Sequence, residues 1–197
     1  MQTQTRPAPA LNVAQWFNTE VPLSLQSLKG QVVVLYAFQM LCPACVSHGL
    51  PQMRKLHQAF ADSGVAVLGL HTVFEHHAAM APHALQAFLG EYRVGFPVGV
   101  DMASPDGPIP MTMQTYGLRG TPSLVVIDGH GQVRLQHFGI VDDLELGMLL
   151  GALTAEPAVI RTSRPLPGDT HEGFEGFNQS GRHQSGCAIR LDAATEN

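Results

Sequence analysis

The stretch AFQMLCPACVSHGLP, residues 37–51, places two cysteines two residues apart directly after an apolar run. That run, QVVVLYAF at residues 31–38, is dominated by β-branched and aromatic residues, which is typical of a central parallel strand buried on both faces. After Cys45, apolar residues recur at helical spacing: Leu50, Met53, Leu56 and Phe60. The segment therefore predicts a buried strand, a cysteine pair and then an amphipathic helix.

The spacing of the two cysteines favours a redox dithiol. Cys42 is expected at the helix N-terminus, where the helix dipole stabilises a thiolate, and Cys45 one turn later. Pro43 suits the first helical turn, because its missing N–H has no partner within a helix there. The alternative is half of a zinc site, which normally needs a second ligand pair. Three residues keep that alternative open: His48, His183 and Cys187.

The composition is that of a globular protein. The 197 residues are 45% hydrophobic and 14% charged, with a net charge of −5. No Lys/Arg cluster appears, so nucleic acid is not an expected partner. No apolar run approaches the ~18 residues of a membrane span, and the N-terminus has no apolar signal-peptide region. These features together predict a cytoplasmic protein.

The remaining patterns alternate between strands and helices. A second buried strand is predicted at residues 65–70, a helix from Pro82, a hairpin over 123–139 and a final helix over 142–155. This order predicts an α/β fold with a central mixed sheet, helices on both faces and the hairpin at one edge. We divide the chain into three parts: an N-terminal arm (1–19), one domain (20–156) and an irregular Gly-rich C-terminal tail (157–197).

A second motif, GTPSLVVID at residues 120–128, places Thr121-Pro122 directly before an apolar strand. A trans proline would be awkward directly before an apolar strand. A cis bond would turn the chain so that the backbone of Thr121 faces outward. Most X–Pro bonds are nevertheless trans, so the residues alone leave both isomers open.

Together the two motifs resemble the thioredoxin superfamily. The long segment between them is most similar to the TlpA/ResA-like thiol–disulfide oxidoreductases and redoxin-domain relatives. The resemblance covers roughly residues 20 to 155 and implies a thioredoxin-like fold with a cis proline against the dithiol. It also implies four roles: Cys42 as nucleophile, Cys45 as resolving thiol, and Thr121 and Pro122 as substrate contacts.

Glu75 follows the second strand, where TlpA/ResA-like proteins often carry an acid near the dithiol. A carboxylate there could take the proton of the Cys45 thiol, which would make Glu75 a third catalytic residue. A solvated loop glutamate is the alternative.

Three positions depart from the family pattern: Leu41 replaces a frequent Trp, Tyr36 stands where thioredoxin has a buried acid, and Pro51 follows Cys45 by six residues instead of five.

The resemblance implies an enzyme that exchanges disulfides with proteins and needs no cofactor. Its partners would be a disulfide-containing protein substrate and a redox-recycling protein, and a reducing compartment favours the reductase direction. A non-enzymatic metal-binding or delivery module, using both thiolates and a histidine, is one alternative. Cys187 is expected to be an unpaired thiol in the tail, with a third redox thiol or a metal ligand as the alternatives.

The other alternative is a peroxiredoxin-like thiol peroxidase. Its motif requires a proline seven residues before the reactive cysteine and a hydroxyl three residues before it. Counted from Cys45, those places hold Phe38 and Cys42; counted from Cys42, they hold Leu35 and Gln39. Both registers fail, so the sequence favours disulfide exchange.

Overall fold

The computed structural model describes residues 5–156, which form one seven-stranded mixed sheet with helices on both faces. The strands are β1 (Arg6–Pro7), β2 (Val13–Phe17), β3 (Val32–Phe38), β4 (Val65–His71), β5 (Val98–Asp101), β6 (Ser123–Ile127) and β7 (Gln132–Phe138). The helices are α1 (Leu50–Ala59), α2 (Pro82–Glu91), α3 (Met111–Tyr116) and α4 (Asp143–Thr154), and a π-helical segment, Cys45–Gly49, directly precedes α1. The predicted tail, 157–197, lies outside the described residues.

Strand β3 occupies the centre of the sheet, whose order is β1-β7-β6-β3-β4-β5-β2. It pairs in parallel with β4 and antiparallel with β6, and β6 forms the predicted hairpin with β7. All seven residues of β3 are buried. The prediction of a central strand that is buried on both faces is therefore confirmed.

The two sides of β3 face different cores, because successive side chains of a strand point to opposite faces. Val34, Tyr36 and Phe38 pack with the buried residues of α1, α2 and α4. Val33 and Leu35 pack with α3 and with apolar residues of the N-terminal arm. Both layers are needed to exclude water from the central strand.

The N-terminal arm is extended, as expected, but it also provides both edge strands of the sheet. Strand β1 pairs antiparallel with β7, and β2 pairs antiparallel with β5. The prediction that the hairpin forms an edge is therefore wrong, because β1 covers β7. Gly99 on β5 permits the close approach of β2, since a Cβ there would lie 2.9 Å from Val13 and 3.3 Å from Trp16.

Candidate active site

The dithiol lies where the central strand ends and a helix begins. Cys42 follows the end of β3, and the chain becomes helical at residue 43. Cys42 and Cys45 form a disulfide with their Cα atoms 5.2 Å apart. Cys45 is fully buried (0% exposed), whereas Cys42 is partly exposed. Of the two cysteines, Cys42 is therefore the more accessible to a partner.

Two backbone groups contact the sulfur of Cys42. The N–H of Cys45 donates to it at 3.3 Å, and the carbonyl oxygen of Thr121 lies 3.6 Å away. An amide N–H directed at the sulfur stabilises a thiolate, which is the nucleophilic form of cysteine. The N–H of Cys45 thus favours the thiolate form of Cys42, and the role of Cys42 as the attacking sulfur stays a prediction.

The Thr121–Pro122 peptide bond is cis, as the family resemblance implied. The turn is tied to its surroundings by two hydrogen bonds: the N–H of Gly139 donates to the carbonyl of Pro122 at 2.8 Å, and Ser123 Oγ donates to the carbonyl of Gly120 at 2.7 Å. These bonds hold the Thr121 carbonyl beside the sulfur. The structure thus brings together four of the five predicted site residues: Cys42, Cys45, Thr121 and Pro122.

Glu75 is not part of this cluster. It is exposed in the loop after β4, and within residues 5–156 no hydrogen bond or ion pair connects it to the dithiol. Its catalytic role remains a prediction, and the alternative of a solvated loop glutamate fits its position better. The exposed His48 contacts Ser47, whose Oγ lies 2.7 Å from its Nδ1.

The metal alternative receives no support from the part of the chain that the structure describes. Within it, no group of three or more His, Cys, Asp or Glu residues could hold a metal ion. His183 and Cys187, which the sequence left open as ligands, lie outside the described residues. Residues 5–156 also contain no helix long and apolar enough to cross a membrane.

The departure at Pro51 has a structural cause. The N–H of Leu50 donates to the carbonyl of Cys45, five residues earlier, so residues Cys45–Gly49 form one π turn inside an otherwise α-helical stretch. A π turn accommodates one extra residue in a helix. The longer spacing between Cys45 and Pro51 is thereby absorbed next to the dithiol.

Sequence reasoning missed His71, the last residue of β4. It is buried against Phe38, with ring centroids 5.4 Å apart, and neither ring nitrogen has a hydrogen-bond partner within residues 5–156. Burial lowers the pKa of His71 to about 4. The ring lines a mostly apolar cavity of about 260 Å³ between the start of α2 and the 102–110 loop. The sequence pattern predicts that β4 ends at Leu70. In the structure it extends to His71, whose side chain lies on the same face of the strand as Val67 and Gly69.

A strand that leads into a helix-start dithiol, with a cis proline beside it, defines a thioredoxin-like redox domain. The model of the AhpC/TSA family matches residues 5–136, and the chain belongs to that family. The thioredoxin-like fold and the resemblance to TlpA/ResA-like proteins are confirmed by this match together with the solved structures and relatives that follow.

Two solved structures are similar to this chain over nearly their whole length. A thioredoxin-like superfamily protein is 55% identical, with a TM-score of 0.75 over 77% of this chain and 98% of its own. A thiol-disulfide isomerase from Corynebacterium glutamicum is 50% identical, with a TM-score of 0.72 over 76% of this chain and 98% of its own. Nearly the whole of each solved chain therefore corresponds to about three quarters of this chain.

Curated relatives share a smaller part. Protein DipZ of Mycobacterium tuberculosis is 30% identical over 135 residues, which are 67% of this chain but 18% of DipZ. Thiol-disulfide oxidoreductase ResA of Halalkalibacterium halodurans is 26% identical over 118 residues, or 59% of each chain. The chain thus spans about a fifth of DipZ and somewhat more than half of ResA.

Proposed function

We propose that the protein is a thiol–disulfide oxidoreductase that acts on protein disulfides through Cys42 and Cys45. The observation that carries this proposal is the disulfide between a partly exposed Cys42 and a fully buried Cys45, placed beside the Thr121 carbonyl. Relatives and neighbours named as oxidoreductase or isomerase support the same reaction class.

In the reducing direction, the Cys42 thiolate attacks one sulfur of the partner's disulfide. The partner's S–S bond breaks, its other sulfur leaves as a thiolate that takes up a proton, and a mixed disulfide forms on Cys42. Cys45 then loses its proton and attacks the sulfur of Cys42. The second partner sulfur leaves as a thiolate, so two electrons have passed to the partner and the Cys42–Cys45 disulfide remains. A dithiol protein would return it to the reduced state.

The surroundings of Cys42 support a polypeptide substrate. Leu41, directly before it, is 57% exposed, and Phe138 and Ile140 are 46% and 47% exposed. The latter two flank Gly139, whose N–H binds the carbonyl of Pro122. Exposed apolar side chains next to Cys42 and next to the partner of the proline turn suit the docking of an extended peptide.

The reductase direction and the cytoplasmic location remain predictions. A turbidity assay with insulin and dithiothreitol tests the reaction class, since reduced insulin chains precipitate. Wild-type protein should accelerate precipitation, and Cys42→Ser should reduce it to the rate of dithiothreitol alone. Rapid turnover of hydrogen peroxide, with no acceleration of insulin reduction, would instead favour the peroxidase alternative.

A further inference from the structure

Tyr36 joins the central strand to the helix that carries the dithiol. Its ring is buried on β3, and its hydroxyl donates a hydrogen bond to the carbonyl of Cys45 at 3.0 Å. The same carbonyl accepts the N–H of Leu50, which closes the π turn. The carbonyl of the resolving cysteine is therefore held by two donors, one from its own helix and one from the strand below.

Gly49 makes room for this hydroxyl. A Cβ at Gly49 would collide with Tyr36 Oη and would lie 2.8 Å from its Cε2. The backbone of Gly49 is helical, with φ −67° and ψ −46°, so no unusual backbone angle calls for glycine here. The contact with Tyr36 is what requires the missing side chain.

The π turn sets the direction in which Cys45 faces. One additional residue in a helix changes the direction of the preceding side chains by about 100° relative to the following ones. The following part is fixed, because Leu50 and Met53 are buried in the core. The orientation of Cys45 toward Cys42 therefore depends on the turn between Cys45 and Leu50.

We propose that Tyr36 is a positioning residue for the resolving step: by holding the Cys45 carbonyl, its hydroxyl keeps the sulfur of Cys45 directed at Cys42. This inference rests on the proposed function and extends it to a residue outside the dithiol. Burial raises the pKa of Tyr36 above its ordinary value, so the hydroxyl stays protonated. Tyr36 therefore acts as a hydrogen-bond donor and takes no proton from either thiol.

The reduction potential of the dithiol provides the first test. In Tyr36→Phe the ring still packs, but the Cys45 carbonyl loses its second donor. We expect the equilibrium constant for closing the Cys42–Cys45 disulfide to fall about 3- to 10-fold, because the sulfur of Cys45 is then less often directed at Cys42 in the reduced protein. For a two-electron couple this is a shift of about 15–30 mV toward a more oxidising potential, measured by equilibration with glutathione.

Tyr116→Phe is the matched control. Tyr116 is also a buried tyrosine, and its hydroxyl donates to the carbonyl of Pro9 at 2.7 Å, on the other face of the sheet. Its variant loses the same kind of bond away from the dithiol, so stability should fall while the potential stays unchanged. Equal potential shifts in both variants would show a merely structural role and overturn the proposal.

The second test separates the two steps of exchange. With oxidised glutathione, the reduced protein should form the mixed disulfide on Cys42 equally fast in wild type and Tyr36→Phe. Release of glutathione by Cys45 should be about 3- to 10-fold slower in the variant. A slower first step with an unchanged second step would contradict a positioning role toward Cys45.

A measurement on the wild type covers the case in which Tyr36→Phe does not fold. NMR should show a slowly exchanging Tyr36 hydroxyl proton with contacts to Cys45 and Gly49 in both the oxidised and the reduced protein. Its absence from the reduced protein would overturn the proposal. These assays use only glutathione, so a failure to reduce insulin would remove the proposed function without changing their outcome.

Discussion

The sulfur of Cys42 lies 3.6 Å from the carbonyl oxygen of Thr121, although 79 residues separate them in the chain. The contact joins the end of the central strand to the turn before β6, two strands that lie side by side in the sheet. Under the proposed function, a partner's sulfur would bind at Cys42 and a partner's backbone beside Thr121. The account of this protein as an exchange enzyme depends on this neighbourhood.

The first prediction concerns the reactivity of the two thiols. In the reduced protein, iodoacetamide near neutral pH should label Cys42 before Cys45, by on the order of tenfold or more, because Cys42 is partly exposed and receives the Cys45 N–H, whereas Cys45 is buried. Peptide mass spectrometry after short exposures gives both rates. Faster labelling of Cys45 would reverse the assigned roles.

The second prediction concerns Glu75. Because Glu75 is exposed and makes no described contact with the dithiol, Glu75→Gln should change the rate of insulin reduction by less than about twofold. The pH dependence of that rate should also stay the same. Exposed Glu20, before β3, provides a control as Glu20→Gln. A pH profile altered only in Glu75→Gln would identify Glu75 as the proton acceptor of Cys45.

The third prediction concerns His71 and the stability of the fold at low pH. Burial lowers its pKa to about 4, whereas the unfolded chain has the ordinary value of 6.5. Below pH 6.5 the unfolded state therefore binds a proton that the folded state refuses. Above pH 6.5 the ring is neutral in both states, and the free energy of unfolding has its full value. As the pH falls from 6.5 toward 4, the free energy of unfolding decreases, because only the unfolded state gains a proton. The loss amounts to about 3 kcal/mol.

Urea denaturation of wild type and His71→Phe, between pH 7 and pH 4, measures that contribution. The free energy of unfolding should fall more steeply in the wild type, because the other titrating groups are common to both proteins. His83→Phe, at an exposed position on α2, should keep the wild-type slope. Parallel profiles for wild type and His71→Phe would show that His71 is protonated in the folded state.

Local sequence patterns predicted the parts of the fold that local physics determines. The run into Cys42 is apolar on both faces and became the central strand, and the helix after Cys45 follows its apolar spacing. The edge strands β1 and β2 were not predicted, because they form only by pairing with β7 and β5, far along the chain. Their residues show little strand pattern of their own.

The residues of the site also fall into two groups: those that sequence motifs predict and those that only the structure reveals. Cys42, Cys45 and the Thr121–Pro122 turn belong to motifs, and the structure brings them together. His71 has no motif, and only its burial against Phe38 distinguishes it from the other histidines. The role of Tyr36 required the π turn, for which the sequence offered one sign, the late position of Pro51.

The central claim is that Cys42 attacks a partner's disulfide and Cys45 resolves the intermediate. Trapping with cysteine variants in a cell lysate, read on non-reducing gels and by mass spectrometry, tests it most directly. Cys45→Ser should accumulate disulfide-linked adducts through Cys42, because nothing then releases the partner, whereas Cys42→Ser should trap little. Adducts that form equally in both variants, or rapid peroxide turnover that survives in Cys42→Ser, would contradict the account.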